Sequence, residues 1–117
     1  MSTVETLQAY FRTLNEKGDW SSLLSESVAF TSFIRPNRQV TGRAAYLEAT
    51  RRFYSMIAGM TVKDLLVDGD RACALTRYQL QPPGRPAFES DVAEVFVVRN
   101  GRIVAFEIYF DSAPFPR

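Results

Sequence analysis

Histidine is absent from this chain of 117 residues, and its absence excludes several kinds of chemistry. Catalysis by Ser-His-Asp or Cys-His groups and zinc or iron sites built on imidazole all require a histidine. Cysteine is nearly absent as well: Cys73 stands alone and cannot form an intrachain disulfide, which weakly favours a reducing compartment. Because no histidine can activate it, Cys73 is interpreted as a buried structural thiol rather than a nucleophile.

An excess of one charge and a long apolar run are also missing. Fourteen basic and thirteen acidic residues leave a net charge of +1, so neither a nucleic-acid groove nor a polybasic membrane-binding cluster is expected. No apolar run approaches the roughly 20 residues that span a bilayer, and the amphipathic segment from Met1 to Gly18 does not resemble a signal peptide. These absences predict a soluble cytoplasmic protein, and the length predicts a single domain over residues 1–117.

The chain does contain two or three amphipathic helices near its start. Ser2–Glu5 has the spacing of a capping box, and apolar residues then recur with a helical period, which predicts a first helix from about Thr3 to Lys17. Asp19 can cap a short second helix. A third helix is predicted from about Arg43 to Ile57.

The remaining segments have the composition of β-strands. A first strand is predicted from Val28 to Ile34, and four more follow the third helix, separated by turns and a proline-rich loop. These four run from Met60 to Val67, from Arg71 to Leu80, from Phe88 to Val98 and from Arg102 to Phe110. Helices followed by a long antiparallel sheet predict an α+β architecture, in which the helices cover one face of a curved sheet.

The last two strands flank Asn100-Gly101, a pair typical of a type I′ hairpin because both residues must adopt positive φ. On the first of these strands, Glu94 alternates with valine and phenylalanine residues and therefore shares their face. If that face lines a pocket, Glu94 is a single acid in an apolar wall, where desolvation raises its pKa. The opposite interpretation is a carboxylate that pairs with Arg77 or Arg99, or that lies on a solvated face of the sheet.

Three short motifs resemble those of one protein family. They are Leu14-Asn15-Glu16-Lys17-Gly18-Asp19-Trp20, Val40-Thr41-Gly42-Arg43, and Arg99-Asn100-Gly101-Arg102-Ile103 followed by Tyr109-Phe110-Asp111. With the order of elements, they are similar to the SnoaL-like branch of the nuclear transport factor 2-like superfamily, which holds relatives of ketosteroid isomerase and limonene epoxide hydrolase. The resemblance implies a cone: a curved antiparallel sheet packed on two to three N-terminal helices, with an internal cavity and a homodimer contact on the outer sheet face. It does not specify a function, because one fold hosts unrelated chemistries.

The resemblance to ketosteroid isomerases supplies candidate site residues. In those enzymes a tyrosine on helix one and a protonated acid on a late strand form the oxyanion hole, while an aspartate moves the proton. Tyr10 matches the tyrosine and Glu94 the acid. Ser32, or its neighbour Thr31, stands where the aspartate would be and cannot act as a base, so steroid isomerase activity is not expected. Tyr10 is alternatively a core aromatic residue with a satisfied hydroxyl.

The resemblance to limonene epoxide hydrolases leaves a different gap. Those enzymes use an Asp-Arg-Asp relay, and Arg77 matches the arginine. Gln79 and Ile108 stand at the positions of the two acids and cannot transfer protons, which excludes that mechanism. A SnoaL-type cyclase holds one acid beside a hydrophobic substrate, and Glu94 can supply that acid, although the histidines associated with such pockets are absent.

The register of the strand from Arg71 to Leu80 leaves two arrangements open, since a shift by one residue moves every side chain to the other face. In one, Arg77 faces the pocket and clamps an anionic substrate or ionises Glu94. In the other, Tyr78 lines the pocket. The other candidate ligand contacts are Trp20, Ser32, Tyr54, Phe106, Ile108 and Phe110.

The sequence thus predicts a SnoaL-like protein that holds a small apolar molecule, and it leaves the type of activity open. As an enzyme, it would be a cofactor-free isomerase, cyclase or hydrolase with Glu94 as acid/base, Tyr10 as hydrogen-bond donor and Arg77 as anion clamp. As a binding or dimerisation module, it would use the same cavity or the outer sheet face. A domain that only assembles a larger complex would have a filled core. No metal or cofactor is expected in any of these cases.

Overall fold

The computed structural model describes residues 1–32, 38–111 and 113, and its first element is helix α1. It spans Thr3–Asn15 and confirms the capping box: the Glu5 N–H donates to Ser2 Oγ at 3.1 Å, and the Ser2 N–H donates to Glu5 Oε1 at 2.9 Å. The helix ends before the predicted Lys17, whose φ of 57° is left-handed. Of the predicted apolar stripe, Leu7, Phe11 and Leu14 are buried together with Tyr10, whereas Val4 is 37% exposed.

A short 3₁₀ helix and a second α-helix complete the helical layer. The 3₁₀ helix spans Trp20–Leu23, and Asp19 caps it by accepting a hydrogen bond from the Ser22 N–H at 3.3 Å. Helix α2 spans Arg43–Ser55 and ends before the predicted Ile57, because Ile57 already begins a strand. Within the described ranges, no helix is long and apolar enough to cross a membrane.

In the part of the chain that the structure describes, six β-strands form a single sheet. They are β1 (Leu24–Ser32), β2 (Arg38–Thr41), β3 (Ile57–Asp68), β4 (Arg71–Leu80), β5 (Phe88–Arg99) and β6 (Arg102–Phe110). Strands β4 and β6 have the predicted bounds, whereas β2 occupies a segment for which no strand was predicted. Strand β1 begins earlier than predicted, and Phe33 and Ile34, predicted at its end, lie outside the described residues. The Asn100-Gly101 turn has φ of 52° and 71°, which confirms positive φ at both residues.

The order of the strands is β2-β1-β6-β5-β4-β3. Neighbours are antiparallel except β1 and β6, which run parallel. The α+β class, with helices on one face of a sheet, is confirmed, but the sheet is mixed rather than wholly antiparallel. Strands β3 to β6 form an antiparallel meander, and its last strand, β6, lies beside β1 and runs in the same direction.

Alternation along the strands divides the sheet into two faces. The inner face packs on α1 and α2 and, with them, forms one hydrophobic core. On β4 the buried residues are the alternate ones, namely Ala72, Ala74, Thr76, Tyr78 and Leu80. The outer face carries exposed apolar side chains, among them Leu66, Leu75 and Tyr109.

Candidate active site

The register of β4 turns Thr76 and Tyr78, rather than Arg77, toward the helices. Thr76 and Tyr78 are buried, and the residue between them is not. Of the two arrangements that the sequence left open, the structure therefore has the one with Tyr78 in the interior.

Arg77 lies on the outer face of the sheet. Its guanidinium donates two hydrogen bonds to the Asp91 carboxylate, at 2.8 and 3.2 Å, and these bonds raise the pKa of Arg77. The hypothesis that Arg77 clamps an anion in the pocket or ionises Glu94 has no support, because the sheet separates its charged group from the interior.

Glu94 lies on the inner face of β5 and is almost completely buried, with 3% of its surface exposed. Its carboxyl group accepts a hydrogen bond from Thr76 Oγ1 at 2.9 Å and from the Tyr78 hydroxyl at 3.1 and 3.0 Å. Burial raises the pKa of Glu94 from 4.5 to about 7, and the two hydroxyl donors limit that rise. The ion-paired alternative does not hold, because Arg99 pairs with Asp70 instead.

The hydrogen bonds around Thr76 fit a neutral Glu94. Thr76 Oγ1 lies 2.9 Å from Glu94 Oε2 and 3.1 Å from the Val92 carbonyl oxygen, yet a hydroxyl has a single proton to donate. A protonated Glu94 resolves the competition, since its carboxyl can donate to Thr76 while Thr76 donates to Val92. The geometry therefore accommodates the acid form of Glu94 with every hydrogen bond made.

Tyr10, Tyr46 and Tyr54 form a chain of hydroxyl groups, called here the tyrosine triad. The Tyr54 hydroxyl lies 3.0 Å from that of Tyr10 and also shares a hydrogen bond with that of Tyr46. Three hydroxyls carry three protons, but only two hydrogen bonds join them. One proton, on Tyr10, Tyr46 or Tyr54, is therefore left to donate to an atom outside the triad.

All the tyrosines near Glu94 stay neutral. Burial raises the pKa of Tyr10, Tyr46, Tyr54 and Tyr78 well above 10, and the nearby charged form of Glu94 raises it further. The tyrosines are consequently hydrogen-bond donors and acceptors, whereas Glu94 is the group that exchanges a proton near neutral pH.

Aromatic and aliphatic side chains form the wall beside these polar groups. Phe106 is buried and stacks on Phe96, with ring centroids 5.4 Å apart and planes 15° apart. Phe96 also meets Tyr10 edge to face at 6.0 Å. Ile108 and Phe110 follow Phe106 on the same face and are half-buried against the core. Phe106, Ile108 and Phe110 therefore all lie on the inner face, and their contact with a ligand stays a prediction.

Two of the predicted ligand contacts lie toward the molecular surface. The Trp20 indole stacks on Tyr54 with ring centroids 4.0 Å apart, and both residues are partly exposed. They line a groove of about 340 Å³ between the 3₁₀ helix and α2, whose rim carries the Glu48–Arg51 ion pair. Tyr54 thus belongs both to the groove and to the tyrosine triad. In the described part of the chain, no acidic, cysteine or histidine side chains are grouped as a metal site.

Ser32 ends the described part of β1 on the inner face and is 4% exposed. It pairs with Ile108, which in turn pairs with Glu94. Its hydroxyl has no hydrogen-bond partner within residues 1–32, 38–111 and 113.

Thr76 and Tyr46 were not among the site residues predicted from the sequence. Thr76 alternates with Tyr78, so the signal was present once the register was known. Tyr46 and Tyr54 lie two turns apart on α2, and only the folded structure shows that their hydroxyls meet. Of the predicted residues, the structure brings Glu94 and Tyr78 into contact and places Tyr10 close by.

Comparisons with known proteins agree with this architecture. The sequence profile of the SnoaL-like domain matches residues 7–106. A candidate ketosteroid isomerase from Kribbella flavida DSM 17836 is 24% identical, with a TM-score of 0.77 over 98% of this chain and 82% of that one. A candidate SnoaL-like polyketide cyclase from Jannaschia sp. CCS1 is 16% identical, with a TM-score of 0.78 over 93% and 85%. TerC, co-crystallised with polyporic acid, is 16% identical, with a TM-score of 0.79 over 97% and 94%. No curated protein matches the sequence.

Proposed function

Because this chain belongs to the SnoaL-like domain family, we propose that it holds a compact apolar molecule beside Glu94 and acts on it by cofactor-free acid/base chemistry. The observation that carries the proposal is Glu94 itself, a carboxyl that is 3% exposed and bonded to two neutral hydroxyls. A carboxyl in such surroundings titrates close to neutral pH, which is the property that a general acid/base needs. The polyporic acid bound to TerC supports the binding of small organic molecules by this fold.

Glu94 can carry both proton transfers of an isomerisation. In its ionised form, Glu94 takes a proton from the carbon next to a ligand carbonyl, so a C–H bond breaks and an O–H bond forms on the carboxyl. The electron pair moves to the carbonyl oxygen, where the spare proton of the tyrosine triad stabilises the enolate. The neutral Glu94 then returns the proton to the same or another carbon. Among the described residues Glu94 is the only buried carboxylate, so the same group performs both steps.

The second candidate function is a ligand-binding module without turnover. The observation that favours it is the chemistry of the other polar groups, since Thr76, Tyr78 and the tyrosine triad bind oxygen atoms but do not move protons near neutral pH. Cyclisation and hydration use the same acid/base as isomerisation and remain within the first candidate.

Exchange of ketone protons distinguishes the two functions. We expect the wild-type protein to bind 2-naphthol, a mimic of an enolate, and to accelerate deuterium incorporation next to the carbonyl of 2-tetralone, followed by proton NMR. Glu94→Gln keeps a hydrogen-bond donor but loses the base, so it should retain affinity for 2-naphthol and lose about 100-fold or more in exchange rate.

The control is Glu89→Gln, which removes an exposed carboxylate from the same strand and should leave the exchange rate unchanged. A wild-type protein that binds 2-naphthol but does not accelerate exchange would be a binding module. A wild-type protein that binds no naphthol would contradict both candidates.

We also propose that two copies pair through the outer sheet face and that the protein is cytoplasmic. Leu66, Leu75 and Tyr109 expose 57%, 37% and 46% of their surface on that face, and exposed apolar patches of this kind mark protein contacts. The single unpaired thiol of Cys73 suits a reducing compartment.

A further inference from the structure

We propose that Ser32 binds a second oxygen of the ligand, at the end opposite the oxygen that the tyrosine triad holds beside Glu94. The inference rests on the proposed function, because it takes the Glu94 site as a ligand site. It assigns a ligand class: a flat, rigid and apolar ring system that carries one oxygen function at each end.

Ser32, Ile108 and Glu94 stand in one row across three neighbouring strands. Ile108 of β6 pairs with Ser32 of β1 on one side and with Glu94 of β5 on the other. Directly paired residues point to the same face of a sheet, and adjacent strands lie about 5 Å apart, so the backbones of Ser32 and Glu94 are about 10 Å apart. A fused two-ring molecule with a hydrogen bond at each end suits this separation.

The hydroxyl of Ser32 has no hydrogen-bond partner among the described residues. Ser32 is 4% exposed, and within the described ranges it alone has a buried side-chain polar atom without a hydrogen bond. Buried polar groups are nearly always paired, and an unpaired one destabilises the fold. At the other end of the row, Glu94 has both its partners. An unpaired hydroxyl opposite the acid indicates that its partner comes from outside the protein.

The side chain between the two polar ends is apolar and partly exposed. Ile108 is half-buried although Ser32 and Glu94, on either side of it, expose only 4% and 3%. Phe110 follows Ile108 on the same face and is also half-buried, so it extends the apolar surface that Ile108 offers to a ring system.

Three naphthols of one ring size test the inference by titration calorimetry. 2,6-Dihydroxynaphthalene has a hydroxyl at each end, 2-naphthol has one, and 2,3-dihydroxynaphthalene has two at the same end. We expect the wild-type protein to bind the 2,6-isomer about tenfold more tightly than the other two, because only this isomer reaches Ser32. Ser32→Ala should lose that tenfold preference and keep its affinity for 2-naphthol.

Ser90→Ala is the matched control, because Ser90 is a serine of the inner face with 5% exposure that lies outside this row. It should keep the wild-type preference. Ser32→Ala should not unfold at a lower temperature than the wild type, since the hydroxyl that it removes has no partner.

The outcomes separate the two proposals. Equal wild-type affinities for the 2,6-isomer and 2-naphthol, as expected if a water molecule satisfies Ser32, would overturn the role of Ser32 and leave the proposed function standing. A preference that survives in Ser32→Ala would do the same. No binding of any naphthol to the wild-type protein would overturn both.

Discussion

Among single residues, Glu94 departs most from an ordinary protein interior. Burial removes the hydration of a carboxyl group, and this costs the charged form more free energy than the neutral form. Two hydroxyl donors, Thr76 and Tyr78, partly stabilise the charged form. These two opposing effects bring the pKa of Glu94 close to neutral pH, where Glu94 can both accept and donate a proton.

This balance makes the stability of the fold depend on pH. The pKa of Glu94 is about 7 in the folded protein against an ordinary 4.5, so between these values the folded state binds more protons than the unfolded state. The contribution of Glu94 to the free energy of unfolding is therefore fully present below pH 4.5 and is lost as the pH rises through 7. The free energy of unfolding falls by about 3 kcal/mol over this range. Urea unfolding at a series of pH values measures it.

The matched variants isolate the group responsible. Glu94→Gln cannot titrate and should remove this decrease, whereas Glu89→Gln, which changes an exposed carboxyl of the same strand, should keep the wild-type profile. A decrease of wild-type size in Glu94→Gln would assign the linkage to another residue.

Between elements, the tyrosine triad joins the two α-helices over the sheet. Tyr10 comes from α1, and Tyr46 and Tyr54 come from α2, so the hydroxyl chain is a polar contact inside an otherwise apolar layer. Tyr54 is its centre, because its hydroxyl bonds to both of the others. Buried polar networks of this kind are sensitive to the loss of a single member.

Removal of the central hydroxyl tests the triad. Tyr54→Phe keeps the ring that stacks on Trp20. It leaves the hydroxyl of Tyr10, which is 0% exposed, without a partner, and the hydroxyl of Tyr46, 2% exposed, with Thr50 alone. We expect the free energy of unfolding to fall by about 3 kcal/mol, measured by urea denaturation.

A triple variant provides the control. Tyr10→Phe, Tyr46→Phe and Tyr54→Phe together remove the unpaired groups as well as the bonds, so this variant should be at least as stable as Tyr54→Phe alone. If Tyr54→Phe were as stable as the wild-type protein, the triad would not hold the helices together.

In the whole molecule, the two faces of the sheet have different roles. The inner face is covered by helices and holds the candidate site, while the outer face leaves apolar side chains in water. Covering those side chains with a second copy would remove them from solvent and would leave the inner face free for a ligand.

Dimerisation through the outer face can be tested with two substitutions of equal exposure. Leu75 on the outer face and Val4 on α1 are each 37% exposed. Leu75→Lys introduces a charge into the proposed contact and should raise the dimer dissociation constant at least about tenfold in sedimentation equilibrium. Val4→Lys should sediment like the wild-type protein. A wild-type protein that is monomeric at every concentration would exclude this contact.

By itself, the sequence determined the features whose causes lie within a few residues. The capping box specifies the start of α1, because its two hydrogen bonds join Ser2 and Glu5. Asn100-Gly101 specifies the last hairpin through its two positive φ angles. Alternation then assigns Glu94 to the same face as its apolar neighbours, and the order of helices and strands predicts the α+β class.

Only the tertiary structure decided what depends on distant partners. The parallel pairing of β1 with β6 joins segments about 75 residues apart, and no local turn sequence predicts it. The direction of Arg77 follows from the register of β4, which a shift of one residue would reverse. The meeting of Tyr46 and Tyr54 with Tyr10, and the row that sets the unpaired Ser32 opposite Glu94, exist only once the helices lie on the sheet. Local chemistry acts through neighbours in the chain, whereas a site is built from neighbours in space.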